Sequence, residues 1–178
     1  QALAPNGKIG RWISVNLDPV AIEKVKARGG EAIFSRAENI DPKIIKPDLY
    51  VSFETVEHLS DPLRFFHNLA TKGTADSFLF SVPYRRQSRF GGDLLRLPID
   101  QLPQKLTAER LHIWELSPDD WRLLAKFAGF ETVSQRIYLQ YPTSRLMRLA
   151  APLWRKTDFE GFLALRLKRN MELSDRYV

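Results

Sequence analysis

The sequence predicts an α/β fold in which a doubly wound, mostly parallel sheet carries one antiparallel edge strand. Short apolar runs alternate along the chain with segments of helical periodicity, the order that builds parallel strands joined by helices. The runs 48–53 (DLYVSF) and 77–82 (SFLFSV) are apolar on both faces, as expected for strands that helices cover on both sides. The last two strand candidates follow the final helical pattern, so we expect them to pair antiparallel at one edge.

The individual elements are predicted from periodicity and from their boundary residues. The predicted strands lie at 12–17, 32–34, 48–53, 77–82, 131–139 and 159–167. Asp18-Pro19 and Ser117-Pro118 each place a capping side chain before a proline at the first helical position, so both predict helix starts. Further helical segments are expected at 56–59 and 62–70. The strand over 77–82 is expected to end at Pro83, which has no N–H to donate.

Residues 84–116 interrupt this alternation inside what we predict to be a single domain spanning residues 1–178. Most of the segment has no clear period, and it contains Gly91-Gly92 together with two prolines. A segment of that length without regular structure is more often functional than idle. We therefore predict that it forms a lid or a substrate-binding insertion.

Composition excludes several classes of site. The chain has 178 residues, 44% of them hydrophobic, and no cysteine, so disulfides, zinc–thiolate centres and thiol nucleophiles are excluded. No apolar run approaches the roughly 20 residues that a membrane-spanning helix needs. The first residues show neither the basic nor the apolar region of a signal peptide. These features lead us to expect a cytoplasmic protein.

The net charge of +6 is concentrated near the end of the sequence. Residues 143–170, predicted to form a basic helix and the final strand, hold seven Lys and Arg against Asp158 and Glu160, a net +5. Leu146, Leu149 and Leu153 would lie on one face of the helix, although Pro152 shortens it. The segment predicts either a contact with nucleic acid or a membrane surface, or simply a solvated basic face.

The ends of the predicted strands resemble those of class I S-adenosylmethionine-dependent methyltransferases, which have a Rossmann-like fold. Residues 48–62 (DLYVSFETVEHLSDP) are the closest match and correspond to the family's fourth strand and the helix behind it. Residues 13–19 (ISVNLDP) resemble the second strand, whose terminal acidic residue binds the ribose hydroxyls. Residues 35–39 (SRAEN) resemble the turn that meets adenine, and residues 112–130 resemble the late helix before the sixth strand.

This resemblance implies S-adenosylmethionine as the cofactor and five residues as its contacts. They are Asn16, Leu17, Arg36, Ala37 and Glu54. Asn16 stands where the family usually has a carboxylate, and Arg36 stands where it usually has aspartate. The family's glycine-rich loop after the first strand has no counterpart, so we expect the first-strand region to be missing or displaced. A chain that had lost its cofactor site would be a non-catalytic binding module of the same fold.

Glu54, Glu57 and His58 form a Glu-x-x-Glu-His group that would share one face of a helix. Two carboxylates and an imidazole could bind Mg²⁺ or Mn²⁺, with His112 as a fourth ligand. The set resembles that of small-RNA 2′-O-methyltransferases and of quinone-biosynthesis O-methyltransferases, in which a metal would hold the hydroxyl being methylated. Two alternatives remain: His58 or His112 acts as a general base, or the group is structural. His67 is expected to be structural.

Three functions therefore remain open at the level of sequence. The first is methyl transfer to oxygen or nitrogen of a small or lipid-like acceptor, the second is a non-catalytic binding module, and the third is a metal-assisted 2′-O-methyltransferase of RNA. Tyr84, Arg85 and Arg86 could line the acceptor site or belong to a solvated loop. Phe90, Trp114 and Tyr138 could line an apolar pocket or pack in the core.

Overall fold

The computed structural model describes residues 9–105, 111–138, 146, 149 and 161–176. The chain divides into two compact units, residues 1–40 and residues 41–178, and each is described by itself. Residues 1–8, which precede the predicted first strand, and most of the predicted basic helix lie outside the described residues. Within that predicted helix, Leu146 and Leu149 are described, and each is 81% exposed.

The first unit is a strand–helix–strand motif. Strand β1 (Ile13–Asn16) pairs in parallel with β2 (Glu31–Phe34), and α1 (Pro19–Ala27) connects them. The helix begins where the sequence predicts, because the Asp18 carboxylate accepts a hydrogen bond from the Val20 N–H at 2.9 Å. A short 3₁₀ helix (Ala37–Asn39) follows β2.

The second unit is built on a four-stranded sheet of order β3-β4-β8-β7. Its strands are β3 (Leu49–Phe53), β4 (Ser77–Tyr84), β7 (Phe130–Tyr138) and β8 (Gly161–Arg169). Strands β3 and β4 are parallel, and β8 runs antiparallel to both β4 and β7. It follows that β3, β4 and β7 all point in the same direction, with β8 as the antiparallel member.

The expected antiparallel pairing of the last two strands at one edge of the sheet is confirmed. Strand β8 lies inside the sheet, and β7 is the outer strand among the described residues. The side chains explain this order, because Leu163, Leu165 and Leu167 of β8 are fully buried. Most of β7 is exposed, as suits a strand with one neighbour.

Strand β4 continues through Pro83 to Tyr84, so the prediction that Pro83 ends it is wrong. The Ser81 carbonyl accepts from the Glu54 N–H, so the backbone polar groups of Ser81 face the β3 side of the strand. Pro83, two residues on, faces the same side, where β3 has already ended at Phe53. The N–H that proline lacks therefore has no ladder partner there, and the pairing with β8 is undisturbed.

The helices of this unit are α2 (Pro42–Ile45), α3 (Pro62–Lys72) and α4 (Pro118–Phe127). The predicted start of α4 is confirmed, since the Ser117 hydroxyl accepts from the Asp120 N–H at 3.2 Å. Two short strands, β5 (Arg89–Phe90) and β6 (Trp114–Glu115), pair antiparallel within the predicted insertion. No helix among the described residues is long and apolar enough to cross a bilayer.

An aromatic cluster fills the core between these helices and the sheet. Phe66 of α3 meets Phe78 and Phe80 of β4 edge-on, with ring centroids 5.0 and 5.1 Å apart. Phe130 of β7 and Trp121 of α4 complete the cluster, and all five side chains are at most 1% exposed. This burial anchors β4 against the helices, and β3 lies beside β4 as its parallel neighbour.

Candidate active site at the carboxyl end of β3

Glu54 is the first residue after β3 and has a backbone conformation rare for a side-chain-bearing residue. Its φ of 49° lies in the left-handed region, where strain is tolerated when surrounding contacts hold the residue. Here the Glu54 N–H donates to the Ser81 carbonyl at 2.9 Å, and its carboxylate accepts from the Ser81 hydroxyl at 2.6 Å. Burial raises the pKa of Glu54, while the Ser81 hydrogen bond and His58 oppose that rise.

The turn that follows is a three-residue 3₁₀ helix, Val56–His58, and not the longer helix expected. Glu54 lies before it, so Glu54, Glu57 and His58 do not share one helical face as predicted. The tighter turn instead buries Val56 and Glu57 completely, while His58 keeps a partly exposed side chain. The group still gathers at one end of β3, with each member in a different environment.

Glu57 is a buried acid. It is 1% exposed, and its Oε2 has no hydrogen-bond partner among the described residues. Burial raises the pKa of Glu57 to about 8, and the neighbouring Glu54 charge adds to the rise. The carboxyl group is therefore largely protonated at neutral pH. Its Oε1 lies 3.5 Å from His58 Nε2.

His58 is oriented by a backbone carbonyl. Its Nδ1 lies 2.8 Å from the Leu111 oxygen, and because a carbonyl can only accept, this contact requires the proton to be on Nδ1. In the neutral ring, Nε2 then carries the lone pair and faces Glu57.

His112 reaches this site because the segment that carries it is bonded to the 3₁₀ turn. The Ile113 N–H donates to the Glu57 carbonyl at 2.9 Å, and the Trp114 indole N–H donates to the Leu59 carbonyl at 2.8 Å. The rings of His58 and His112 consequently lie with their centroids 5.0 Å apart at an interplanar angle of 60°. The two histidines are 54 positions apart in sequence and adjacent in space.

Three of the four predicted metal ligands come together. Glu57, His58 and His112 each place one potential ligand atom within 4.8 Å of the others. Glu54 is not part of this group, because its Oε1 accepts from Ser81. A carboxylate and two imidazoles suit a divalent transition ion, and Glu57 would have to lose its proton to bind one.

A cluster around Glu115 was not predicted from the sequence. Glu115 is 6% exposed, and its Oε2 accepts from the Nε of Arg85, at 2.5 Å, and from the Nε of Arg89. Arg89 also pairs with the exposed Asp93 at 2.7 Å. The other oxygen of Glu115, Oε1, lies 3.7 Å from His112 Nδ1. The only signal in the sequence was a glutamate between apolar residues in 113–116 (IWEL), a position at which a carboxylate needs a partner.

The four predicted cofactor contacts of the first unit lie at the carboxyl ends of β1 and β2. Asn16 accepts from the Asp18 N–H through its side-chain oxygen at 2.9 Å, which leaves its amide N–H groups as donors. Leu17 is 54% exposed. Arg36 pairs with Glu38 at 3.3 Å, and Ala37 begins the 3₁₀ helix.

The remaining candidates contact neighbouring side chains. His67 lies within α3, where its Nδ1 is 3.4 Å from the Ser174 hydroxyl. Phe90 and Trp114 form an edge-on ring pair 5.3 Å apart, and Tyr138 stacks on Phe162 at 5.5 Å.

No protein-family model and no curated protein sequence matches the chain. Solved structures do match. A methyltransferase complex with the Trm112 activator from Haloferax volcanii has a TM-score of 0.65 at 15% identity, over 95% of this chain and 76% of that one. The [4+2]-cyclase SpnF has a TM-score of 0.61 at 12% identity, over 95% and 71%. The Burkholderia thailandensis 1,6-didemethyltoxoflavin-N1-methyltransferase, with bound S-adenosylhomocysteine, has a TM-score of 0.55 at 13% identity, over 90% and 61%.

Proposed function

From the class I S-adenosylmethionine-dependent methyltransferase fold that this chain has, we propose that it transfers a methyl group from S-adenosylmethionine to oxygen or nitrogen of a small or lipid-like acceptor. The observation that carries the proposal is the pair of histidine rings at the carboxyl end of β3, 5.0 Å apart and beside a buried acid. In open α/β sheets, ligands bind beyond the carboxyl ends of the strands. Because the cyclase has the same fold, the fold alone does not distinguish methyl transfer from other chemistry.

In this proposal the protein orients the methyl acceptor and removes its proton. When bound, the cofactor supplies a methyl group on a sulfonium sulfur that is already a good leaving group. The protein then needs to hold the acceptor lone pair in line with that methyl group and to accept the proton of the hydroxyl or ammonium. His58 and His112 are the two candidates for this base, and His58 is held with its Nδ1 on Leu111.

Five residues are proposed as cofactor contacts, each at the carboxyl end of a strand: Asn16, Leu17, Arg36, Ala37 and Glu54. The amide donors of Asn16 suit a ribose hydroxyl, without the added strength of a charged acceptor. The Arg36 guanidinium has only N–H donors, so it offers no acceptor to the adenine amine, and that contact would fall to backbone groups near Ala37.

Calorimetric titration of S-adenosylmethionine into the chain tests cofactor binding. We expect saturable binding that weakens about tenfold in Asn16→Ala, the loss of roughly one hydrogen bond. Glu131→Gln, a change at an exposed β7 position, is the matched control and should bind as the parent does. Absence of any binding heat at millimolar ligand would refute the proposal and favour the non-catalytic binding module.

Release of S-adenosylhomocysteine in the presence of phenol or benzylamine tests the base. Loss of a general base typically costs about 10²–10⁴-fold in rate. His58→Gln or His112→Gln should therefore reduce turnover by at least about a hundredfold while cofactor affinity stays unchanged. Rates equal to the parent in both variants would exclude a catalytic role for either histidine.

A divalent ion at Glu57, His58 and His112 is the second candidate, favoured by the proximity of their ligand atoms. Such an ion would lower the pKa of an acceptor hydroxyl and orient it, as in the predicted RNA 2′-O-methyltransferase function. Titration with Mn²⁺ should then show one site that Glu57→Gln weakens and Glu131→Gln does not. Identical Mn²⁺ binding by parent and Glu57→Gln would exclude this site.

A further inference from the structure

Glu115 and its two arginine partners, Arg85 and Arg89, lie next to His112, and the function proposed above assigns them no role. Glu115 is almost fully buried, and both arginine contacts fall on the same oxygen, Oε2. A carboxylate held by two guanidinium groups has little freedom to rotate, because each charge-assisted hydrogen bond fixes its plane. Its second oxygen, Oε1, is thereby held facing the His112 ring at 3.7 Å from Nδ1.

Gly92 packs against the contact between Glu115 and His112. The Gly92 N–H donates to the His112 carbonyl at 2.8 Å. A Cβ at this position would lie 3.0 Å from Glu115 Oε1 and 3.2 Å from the His112 carbonyl oxygen. The backbone conformation of Gly92, φ −66° and ψ 173°, is one that any residue can adopt. A methyl group here would therefore be limited by space and not by backbone conformation, because Glu115 Oε1 or the His112 carbonyl would have to shift to admit it.

We propose that Glu115, clamped by Arg85 and Arg89, is a positioning residue that fixes the His112 ring against His58. The clamp supplies an oriented negative charge beside His112 Nδ1, which favours the proton on that nitrogen and leaves the Nε2 lone pair for the site. His58 is fixed in the same tautomer by the Leu111 carbonyl. In both neutral rings Nε2 would then carry the lone pair. The Glu115 carboxylate would orient His112, and the Leu111 carbonyl would orient His58. The catalytic meaning of this arrangement rests on the proposed function, but the arrangement itself does not.

In this proposal the segment 84–116 holds His112 in position through Glu115 and its arginine partners. Its two short strands bring Arg89 opposite Glu115, and Arg85 follows β4 directly. The salt-bridge network is partly buried, with 17% of the Arg85 side chain and 7% of the Glu115 side chain exposed, so it orients more firmly than a surface pair would. Its effect on the site is transmitted through a single ring, His112.

Nuclear magnetic resonance of the chain labelled with ¹⁵N-histidine tests this proposal without cofactor or acceptor. The chain has three histidines, so His67 in α3 is an internal control. In the parent we expect both ring protons of the neutral tautomers on Nδ1 and a nuclear Overhauser effect between the His58 and His112 rings. Glu115→Gln should move the His112 ring nitrogens toward a mixture of tautomers and weaken the inter-ring effect, while the His67 signals stay in place.

A second variant covers the case in which Glu115→Gln destabilises the fold. Gly92→Ala keeps every charge and pushes only on Glu115 Oε1 and the His112 backbone. It should also displace the His112 ring signals and leave those of His67 unchanged. Unchanged His112 signals in either folded variant would overturn the proposal, as would equal displacement of His112 and His67. Because no methyl transfer is measured, such a failure leaves the proposed enzymatic function standing.

Discussion

Replacing Glu57 by glutamine should make the protein more resistant to alkaline conditions. Burial raises the pKa of Glu57 from 4.5 to about 8, so between those values the folded protein binds a proton that the unfolded chain has lost. The sign follows directly: this group's contribution to stability is complete below pH 4.5 and is lost as the pH rises toward 8. With about 1.4 kcal/mol for each pKa unit, the loss is about 2–3 kcal/mol between pH 5 and pH 7 and about 4 kcal/mol between pH 5 and pH 9.

The assay is guanidinium denaturation of the parent and Glu57→Gln at these three pH values. The difference between the free energies of unfolding of the two proteins should change by about 4 kcal/mol in favour of the variant on going from pH 5 to pH 9. Titrating groups that do not interact with Glu57 are common to both proteins and cancel in the comparison. Glu131→Gln should show no such divergence. A divergence below about 1 kcal/mol would mean that Glu57 is ionised in the folded protein, and the buried-acid description of the site would be refuted.

Two further predictions concern contacts that hold the site and the sheet. Ser81→Ala removes the hydroxyl that donates to the Glu54 carboxylate, so it should raise the pKa of Glu54 further. The ¹³C shift of the Glu54 carboxyl carbon, followed with pH, measures this pKa. An unchanged or lower pKa would contradict the hydrogen bond between Ser81 and Glu54. Arg169→Met removes charge-assisted hydrogen bonds to the Gly73 and Ala75 carbonyls, both 2.7 Å, and should lower the free energy of unfolding by about 2–3 kcal/mol. Arg176→Met, at an exposed ion pair, should cost under about 0.5 kcal/mol, and equal effects would refute the argument.

Local signals in the sequence were sufficient to predict the regular elements. Caps and periodicity are properties of a few neighbouring residues, and the starts of α1 and α4 follow from Asp18 and Ser117. The place of β8 inside the sheet was not predicted, because strand order depends on pairing between segments that are distant in sequence. The alternation of Leu163, Leu165 and Leu167 marks one buried face without identifying the neighbouring strands.

The sequence predicted which residues form the candidate site, but it predicted only part of their arrangement. The sequence placed Glu57, His58 and His112 in one cluster, and their ligand atoms do lie within 4.8 Å. The left-handed conformation of Glu54 was not predictable, since nothing in its own side chain favours it and the contacts with Ser81 hold it. The role of Glu115 was also missed, because its partners lie in an aperiodic segment where sequence patterns carry little structural information. The roles of all these residues remain predictions.

The central claim is that the cofactor binds at the carboxyl end of β3, next to the histidine pair that would serve the methyl acceptor, and one measurement tests it most directly. S-adenosylhomocysteine is titrated into the ¹⁵N-histidine-labelled chain, and the ring signals of its three histidines are followed. Binding at the carboxyl end of β3 predicts saturable displacement of the His58 and His112 signals, with those of His67 unmoved. No displacement at millimolar ligand, or displacement of His67 alone, would contradict the claim.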